Sequence, residues 1–504
     1  ALAQLTESGL VFSEKSASDT TYTFNHALVQ EAAYGSLLKS RRRELHRVVA
    51  KALDEKFPEL AKQRPELIAH HLTEAGEIEK AIDAWQTAGE FAMARAALAE
   101  ANQHYNKALR MLKTLPDTAD RSQMELPIQM ALGSILQATK GFGSEEARQP
   151  FTRAREIAAQ LGESPQFFFI LLGLWSTANS RSEIKASREI SNELGKIAER
   201  DKTPMLEVWA HMTQAMDAYA LGEFSNVGKH IGQVYAYYNK DEHSWAPFDP
   251  MITISGHTSY TLWQLGFPDQ ALKNAEEQLQ MARELASANV AMARMTTCNL
   301  AIYLWDAEAL LSAANDMLAI GEQEQLPSFH GWGTMYKGIA LILQNNNEEG
   351  IAFLSKGIGE YLGSGTHSSL GWYLSRLAIG YAQAGDLEQA IKTIEDAFGA
   401  APEEKMHLPE FHRLRGDFLW AKKEDLESVE QDYRQAIAYS REFDALSQEL
   451  RAVTRLGRLL QSEERSEEAY ALLAPVYAKF TEGFGTRDLI QAKALLDELS
   501  KETA

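Results

Sequence analysis

Residues able to do chemistry fall into four arrangements in this chain, and none makes a catalytic set. Gly222–His230, GEFSNVGKH, carries the glycines and lysine of a phosphate-cradling loop. Five residues separate its glycines where such a loop needs four, and His230 stands where Ser or Thr would hold magnesium. His70 and His71 are adjacent, so on a helix they point about 100° apart and the pair predicts no metal site. Gly363–Gly371, GSGTHSSLG, brings Ser and His close together, but in a connecting loop with nothing to support covalent catalysis. The carboxylates are many and scattered, with no pair set apart as acid and base. His-Glu-x-x-His and nucleophile-elbow motifs are both missing. The expectation is a non-enzyme with no catalytic residue, no metal ligand and no cofactor of its own.

A different residue class is arranged for binding. Phe168, Leu171 and Trp175, then Trp209, Met212, Met216 and Tyr219, then Tyr260 and Trp263, then Trp332, Met335 and Ile339, and Trp372 recur at helical spacing. Aromatic and Met side chains in such a stripe suit an apolar or aromatic ligand, or a partner helix laid in a groove. The same stripe at the same spacing also suits a buried core, and both readings stand on the sequence.

These residues need a scaffold, and Trp372–Pro402 supplies its unit. Leu374, Leu377, Ala378 and Tyr381 share one helix face, and Ala390, Ile394 and Ala397 share another, with a turn at Gly385. Counted from 371, they occupy places 4, 7, 8, 11, 20, 24 and 27 of a tetratricopeptide hairpin. Small residues at places 8 and 20 let the two backbones approach. Copies of place 20 fall at Ala147, Ala186, Val227, Ala271, Leu311, Gly350, Ala390, Val429 and Ala469. The spacing is 39 to 44 residues, longer than the roughly 34 of the common repeat. Each hairpin buries its apolar face only against its neighbours, so the pattern predicts a right-handed all-α superhelix. Places 2, 5, 9 and 12 would line its concave wall, which is where the aromatic stripe falls.

Composition narrows the partners. The net charge of −20 argues against nucleic acid or an anionic membrane as the main partner. The basic cluster Lys39, Arg41, Arg42, Arg43, Arg47 and Lys51 is interrupted by Glu44, and the apolar stripe Leu45, Val48, Val49, Ala52, Leu53 is expected to face a core. Cys298 is the single cysteine, so no intramolecular disulfide forms, and a reducing cytoplasm fits. The most apolar run, Phe167–Trp175, is far short of the ~20 residues of a membrane span.

The first forty residues read as helix, hairpin, helix, with strands at 10–13 and 21–24 joined by a polar turn. The stretch FNHALVQEAAYGSLLKSRRRELHRVVAKAL resembles the winged-helix exit of STAND-class signalling NTPases, where a Met-His-Asp motif closes the domain. The matching positions are Asn25, His26 and Ala27, of which His26 agrees. PELIAHHLTEAG, QMALGSILQATKGF, LWQLGFPDQAL, FHRLRGDFLWA and LLAPVYAKFTEGFGTRDLIQAKALLDEL are similar to the long helical arm of bacterial members of that class, often fused to a class III nucleotide cyclase. The resemblance implies a nucleotide-sensing role for His26 in a longer parent protein, and ATP or ADP in an ATPase module outside this chain. It implies residues 1–40 as the end of a winged-helix domain, 41–120 as an adaptor with the first hairpins, 121–480 as the array and 481–504 as a capping helix. The opening ALAQLTESGL, without Met, reads as the cut edge of that parent. The expected function is a sensor arm that binds a protein or small ligand and regulates the ATPase and effector. The alternative is a constitutive scaffold.

Overall fold

The computed structural model describes residues 2–15, 20–162, 166–243, 248–324 and 326–502. Two compact units divide the chain: Ala1–Ile135 with Glu156–Gly162, and Leu136–Arg155 with Glu163–Ala504.

The first unit opens with helix Leu2–Glu7, then antiparallel strands Val11–Lys15 and Thr20–Phe24 in the register Val11 opposite Phe24, then helix Ala27–Ser36. The polar turn expected between the strands lies outside the described residues. Helices Pro65–Ala75, Ile78–Ala94 and Leu98–Leu112 build the core around Ile82, Trp85, Tyr105 and Leu112. Gly89 is what lets Tyr105 in, since a Cβ there would meet the ring at 2.7 Å.

Helix Lys39–Lys56 departs from the sequence expectation. Leu45, Val48 and Val49 do not face a core but lie 37%, 59% and 39% exposed, and Ala50 is its buried residue. The helix packs through a face carrying His46, Ala50 and Leu53, so Ala52 and Leu53 of the expected stripe are half-buried while its first three residues turn outward. Three of its arginines are engaged. Arg41 pairs with Glu44 at 2.6 Å, Arg47 with Glu77 at 2.8 Å, and Arg42 donates to the carbonyls of Leu37 and Gly35 at 2.9 Å each.

The second unit is an all-α solenoid of helix pairs. Among the described residues they run Gln166–Ser180 with Ile184–Asp201, Pro204–Ala220 with Phe224–Tyr237, Pro250–Gln264 with Pro268–Ala282, Ser287–Leu304 with Ala307–Gln323, and Pro327–Leu343 with Asn347–Gly363. Leu370–Gln383 with Leu387–Ala400, Leu408–Ala421 with Leu426–Glu442, and Leu446–Ser462 with Ser466–Tyr477 follow, and Arg487–Glu502 covers the last pair. No helix among the described residues is long and apolar enough to cross a membrane.

The turn inside each pair sets the repeat. One left-handed residue ends the first helix, and its own N–H and that of the next residue close back onto the helix, as Gly385 N–H to Ala382 O at 3.1 Å and Asp386 N–H to Tyr381 O at 3.0 Å. In seven pairs that residue is Ser182, Gly222, Gly266, Trp305, Asn345, Gly385 or Glu464, with the buried place 20 five positions on; in the pair that turns at Lys423, buried Val429 lies six positions on. Two copies therefore shift by one from the sequence expectation. Ser187, fully buried, holds the place assigned to Ala186, and Leu310 the place assigned to Leu311. Most copies are then 39 or 40 residues apart, and the 44-residue step holds the turn Lys240–His243.

The solenoid of this unit coils tightly enough to touch itself four to five pairs later. Ser180 O accepts the N–H groups of His367 and Ser368 at 2.8 and 3.0 Å, and Ala220 O accepts that of Lys405 at 2.8 Å. Trp263 O accepts the Ser447 hydroxyl at 2.6 Å, and Tyr303 O accepts from the Arg451 guanidinium. Glu482 accepts the N–H groups of Asp269 and Gln270 at 2.9 and 3.0 Å. At Gly143 and Gly365 the backbones meet so closely that a Cβ on Gly143 would lie 2.2 Å from the Gly365 carbonyl oxygen.

Candidate functional site

These contacts enclose a chamber of about 700 Å³ within the second unit. First helices of successive pairs supply its wall: Met216 and Tyr219; His257 and Tyr260; Met292, Met295, Asn299 and Tyr303; Trp332 and Tyr336; Trp372 and Tyr373. The loops that bridge five pairs close it with Glu404, Met406 and His407.

Five of the ten residues expected on the concave wall are there: Met216, Tyr219, Tyr260, Trp332 and Trp372. Phe168, Trp175, Trp209, Met212 and Trp263 are instead core, 1% to 8% exposed. For Phe168 and Trp175 the one-residue shift is the cause. With place 20 at Ser187, places 2, 5, 9 and 12 become Phe169, Leu172, Ser176 and Asn179, all half-buried, and Asn179 lines the chamber. Trp175 turns away and donates its indole N–H to buried Asp217 at 3.1 Å. Burial pushes that carboxyl up to about 6, against hydrogen bonds from Ser191, Ser187, Trp175 and Asn179. The second shift has the same effect: with Leu310 at place 20, places 2, 5 and 9 are Met292, Met295 and Asn299, the wall residues that sequence reasoning missed. Trp263 stacks on Tyr303 at 4.2 Å under the Arg451 guanidinium, and Trp209 packs edge-on to His243. His26 is an exposed residue at the start of helix Ala27–Ser36, in the other unit, with no side-chain capping bond.

The chamber's polar groups are mostly satisfied among themselves. Tyr219 and Tyr303 hydroxyls meet at 3.4 Å, as do those of Tyr336 and Tyr373, and Asn299 donates to Tyr260 at 3.1 Å. Burial pushes the Tyr373 phenol up to about 12 and the other four higher or in the same direction, so all stay protonated. Glu404 accepts the Ser369 N–H at 3.0 Å and the Ser182 hydroxyl at 2.9 Å, and burial pushes its carboxyl up to about 7. Burial and the nearby Arg376 push His407 down to about 3, so its imidazole is neutral.

Two atoms stand apart. Trp372 Nε1 and His407 Nδ1, on side chains 2% and 5% exposed, have no hydrogen-bond partner among the described residues. Their rings stack at 4.8 Å, and Arg376 lies 4.1 Å over the indole. Arg376 is held in turn by Glu410 at 2.8 Å, which also binds Arg413 at 2.8 Å. Burial works to raise the Glu410 carboxyl, but Arg413 and Arg376 outweigh it and hold it well below the carboxylate range.

No family model matches the chain. An uncharacterized protein of Rhizobium meliloti (strain 1021) is 26% identical over 466 residues, covering 90% of this chain and 44% of the relative. The chain thus spans under half the length of that curated relative. Among solved structures, a Rap protein complexed with competence and sporulation factor is similar at TM-score 0.44 and 12% identity, over 76% of this chain and 99% of that one. The apo form of RapI gives 0.36 and 13%, over 59% and 98%. The anaphase-promoting-complex assembly Cut9–Hcn1 gives 0.44 and 12%, over 94% and 99%.

Proposed function

We propose that this chain is a non-catalytic sensing arm whose second unit takes a small, uncharged, ring-bearing molecule into its chamber. The observation that carries this reading is the pair of buried, unpartnered atoms, Trp372 Nε1 and His407 Nδ1, in an otherwise satisfied aromatic wall. A buried donor without a partner costs roughly 1–3 kcal/mol, which a ligand acceptor recovers on binding. Neutral His407 and the protonated tyrosines favour an uncharged guest, and the Tyr, Trp and Met lining favours a flat one.

In a longer parent the arm would bias an ATPase and its effector by population shift: a ligand that prefers one spacing of the coil stabilises that state. The first sixty residues support a docked neighbouring module. Leu28, Leu38, Val48, Phe12 and Phe57 are 48% to 78% exposed there. His26 belongs to the same stretch, and nucleotide would be held by that module. A bacterial cytoplasm is the setting this reading implies.

The test uses N-phenyl-1-naphthylamine, an uncharged fluorescent ring compound, titrated into the full chain. Saturable uptake of one equivalent, weakened at least tenfold by Trp332→Ala plus Tyr336→Ala, is expected. No saturable uptake, together with no small molecule released from the unfolded protein, would overturn the ligand reading. If nucleotide exchange in the parent is the same with and without this region, regulation fails and a constitutive scaffold stands.

A further inference from the structure

The first unit holds a second site, independent of the chamber. Helices Lys39–Lys56 and Pro65–Ala75 pack together and bring His46 of one against His70 and His71 of the other. One ring nitrogen from each of the three lies within 4.8 Å of the others. The ring centroids are 5.0 Å apart for His46 and His71, 5.9 Å for His46 and His70, and 5.3 Å for His70 and His71. Adjacency of His70 and His71 counts against a site on one helix alone. A third imidazole from the neighbouring helix removes that objection, because it closes the triangle from outside.

Two further features point the same way. Tyr34 Oη lies 2.9 Å from His46 Nε2, and His46 Nδ1 lies 2.8 Å from His71 Nδ1. The far nitrogen of His46 is therefore engaged, and its near nitrogen points into the triangle. That is the arrangement of a ligating imidazole oriented through its other nitrogen. His70 is exposed, which gives an ion a way in.

We propose that His46, His70 and His71 bind one divalent transition-metal ion of the zinc type, with Tyr34 as a positioning residue. Three imidazoles suit Zn²⁺ at about 2.0–2.1 Å, and a fourth position remains for water. At that bond length, tetrahedral nitrogens sit about 3.4 Å apart, so side-chain rotations within the present spread suffice. The ion replaces the His46–His71 hydrogen bond, and the proton that bond holds moves to the Nε2 of the same neutral ring. The site would staple two helices where Leu45, Val48 and Val49 stay exposed.

The test titrates metal-free full chain with Zn²⁺ by calorimetry, and with Co²⁺ by visible absorption. Wild type should bind one equivalent and show the d–d bands of a nitrogen-rich site. His46→Ala, His70→Ala and His71→Ala should each lower affinity at least a hundredfold, and Tyr34→Phe about tenfold. His211→Ala serves as control. His211 and His230 form a two-histidine pair, Nδ1 to Nδ1 at 3.1 Å, in the second unit, and the variant should leave binding intact. His70 is exposed, so His70→Ala keeps the test readable if His46→Ala fails to fold. Absence of binding at 100-fold excess metal, or equal binding by wild type and His70→Ala, would overturn the proposal.

Discussion

Glu404 should make the closure of the chamber depend on pH, with a sign that can be worked out in advance. Its carboxyl joins two parts of the second unit far apart in sequence, accepting from Ser182 at 2.9 Å and from the Ser369 N–H at 3.0 Å. Burial raises it from 4.5 to about 7. The folded state then holds a proton that the unfolded chain releases, so stability falls as pH rises from about 4.5 to about 7 and is level above that. At about 1.4 kcal/mol per unit, a rise of this size corresponds to about 3 kcal/mol. Glu404→Gln keeps an acceptor for Ser369 and removes the titration. Urea denaturation followed by circular dichroism, from pH 4.5 to 8, should show the variant gaining about 3 kcal/mol on wild type across the range. Any constant offset from altered hydrogen bonding does not affect that slope. Helical arrays melt in parts, so exchange of the Ser369 amide is the local readout and should quicken with pH in wild type relative to the variant. A stability difference that stays level between pH 4.5 and 8 would refute the reasoning.

Three other outcomes follow. Glu410→Ala leaves Arg376 and Arg413 buried without their shared partner and should cost about 3–5 kcal/mol, read as a fall in melting temperature, with Glu410→Gln milder. Gly143→Ala drives a Cβ to 2.2 Å from the Gly365 carbonyl oxygen; it should loosen the closure, cost about 1–3 kcal/mol and speed exchange of the naphthylamine probe without altering helix content. Glu464→Gly relieves a left-handed residue at φ 61° and should raise stability by up to about 1 kcal/mol in thermal melts.

Helix pairing and its period are written in local residues. Small side chains at place 20 with large ones four positions on, as in Ala390 and Ile394, mark a hairpin wherever they recur. The all-α repeat class, and wall positions such as Met216, Tyr219 and Tyr260, follow from that pattern alone. Register was legible where glycine stands at the left-handed turn, at Gly222, Gly266 and Gly385. It slips by one in two copies that lack that glycine and turn at Ser182 or Trp305, whereas the copies turning at Asn345 and Glu464 keep the expected register at Gly350 and Ala469 without one. That slip alone hid Asn179, Met292, Met295 and Asn299 and placed Phe168 and Trp175 on the wrong face. Other features belong to the tertiary structure because they join residues far apart in the chain. Ser180 meets His367, and Glu404 meets Ser182, only once the coil has turned through five pairs. His46 meets His70 and His71 only because helix Lys39–Lys56 packs on helix Pro65–Ala75 through its His46 and Ala50 face. A periodic sequence determines what each hairpin buries against its neighbour, whereas small rotations summed over many hairpins decide where the coil touches itself and what it encloses.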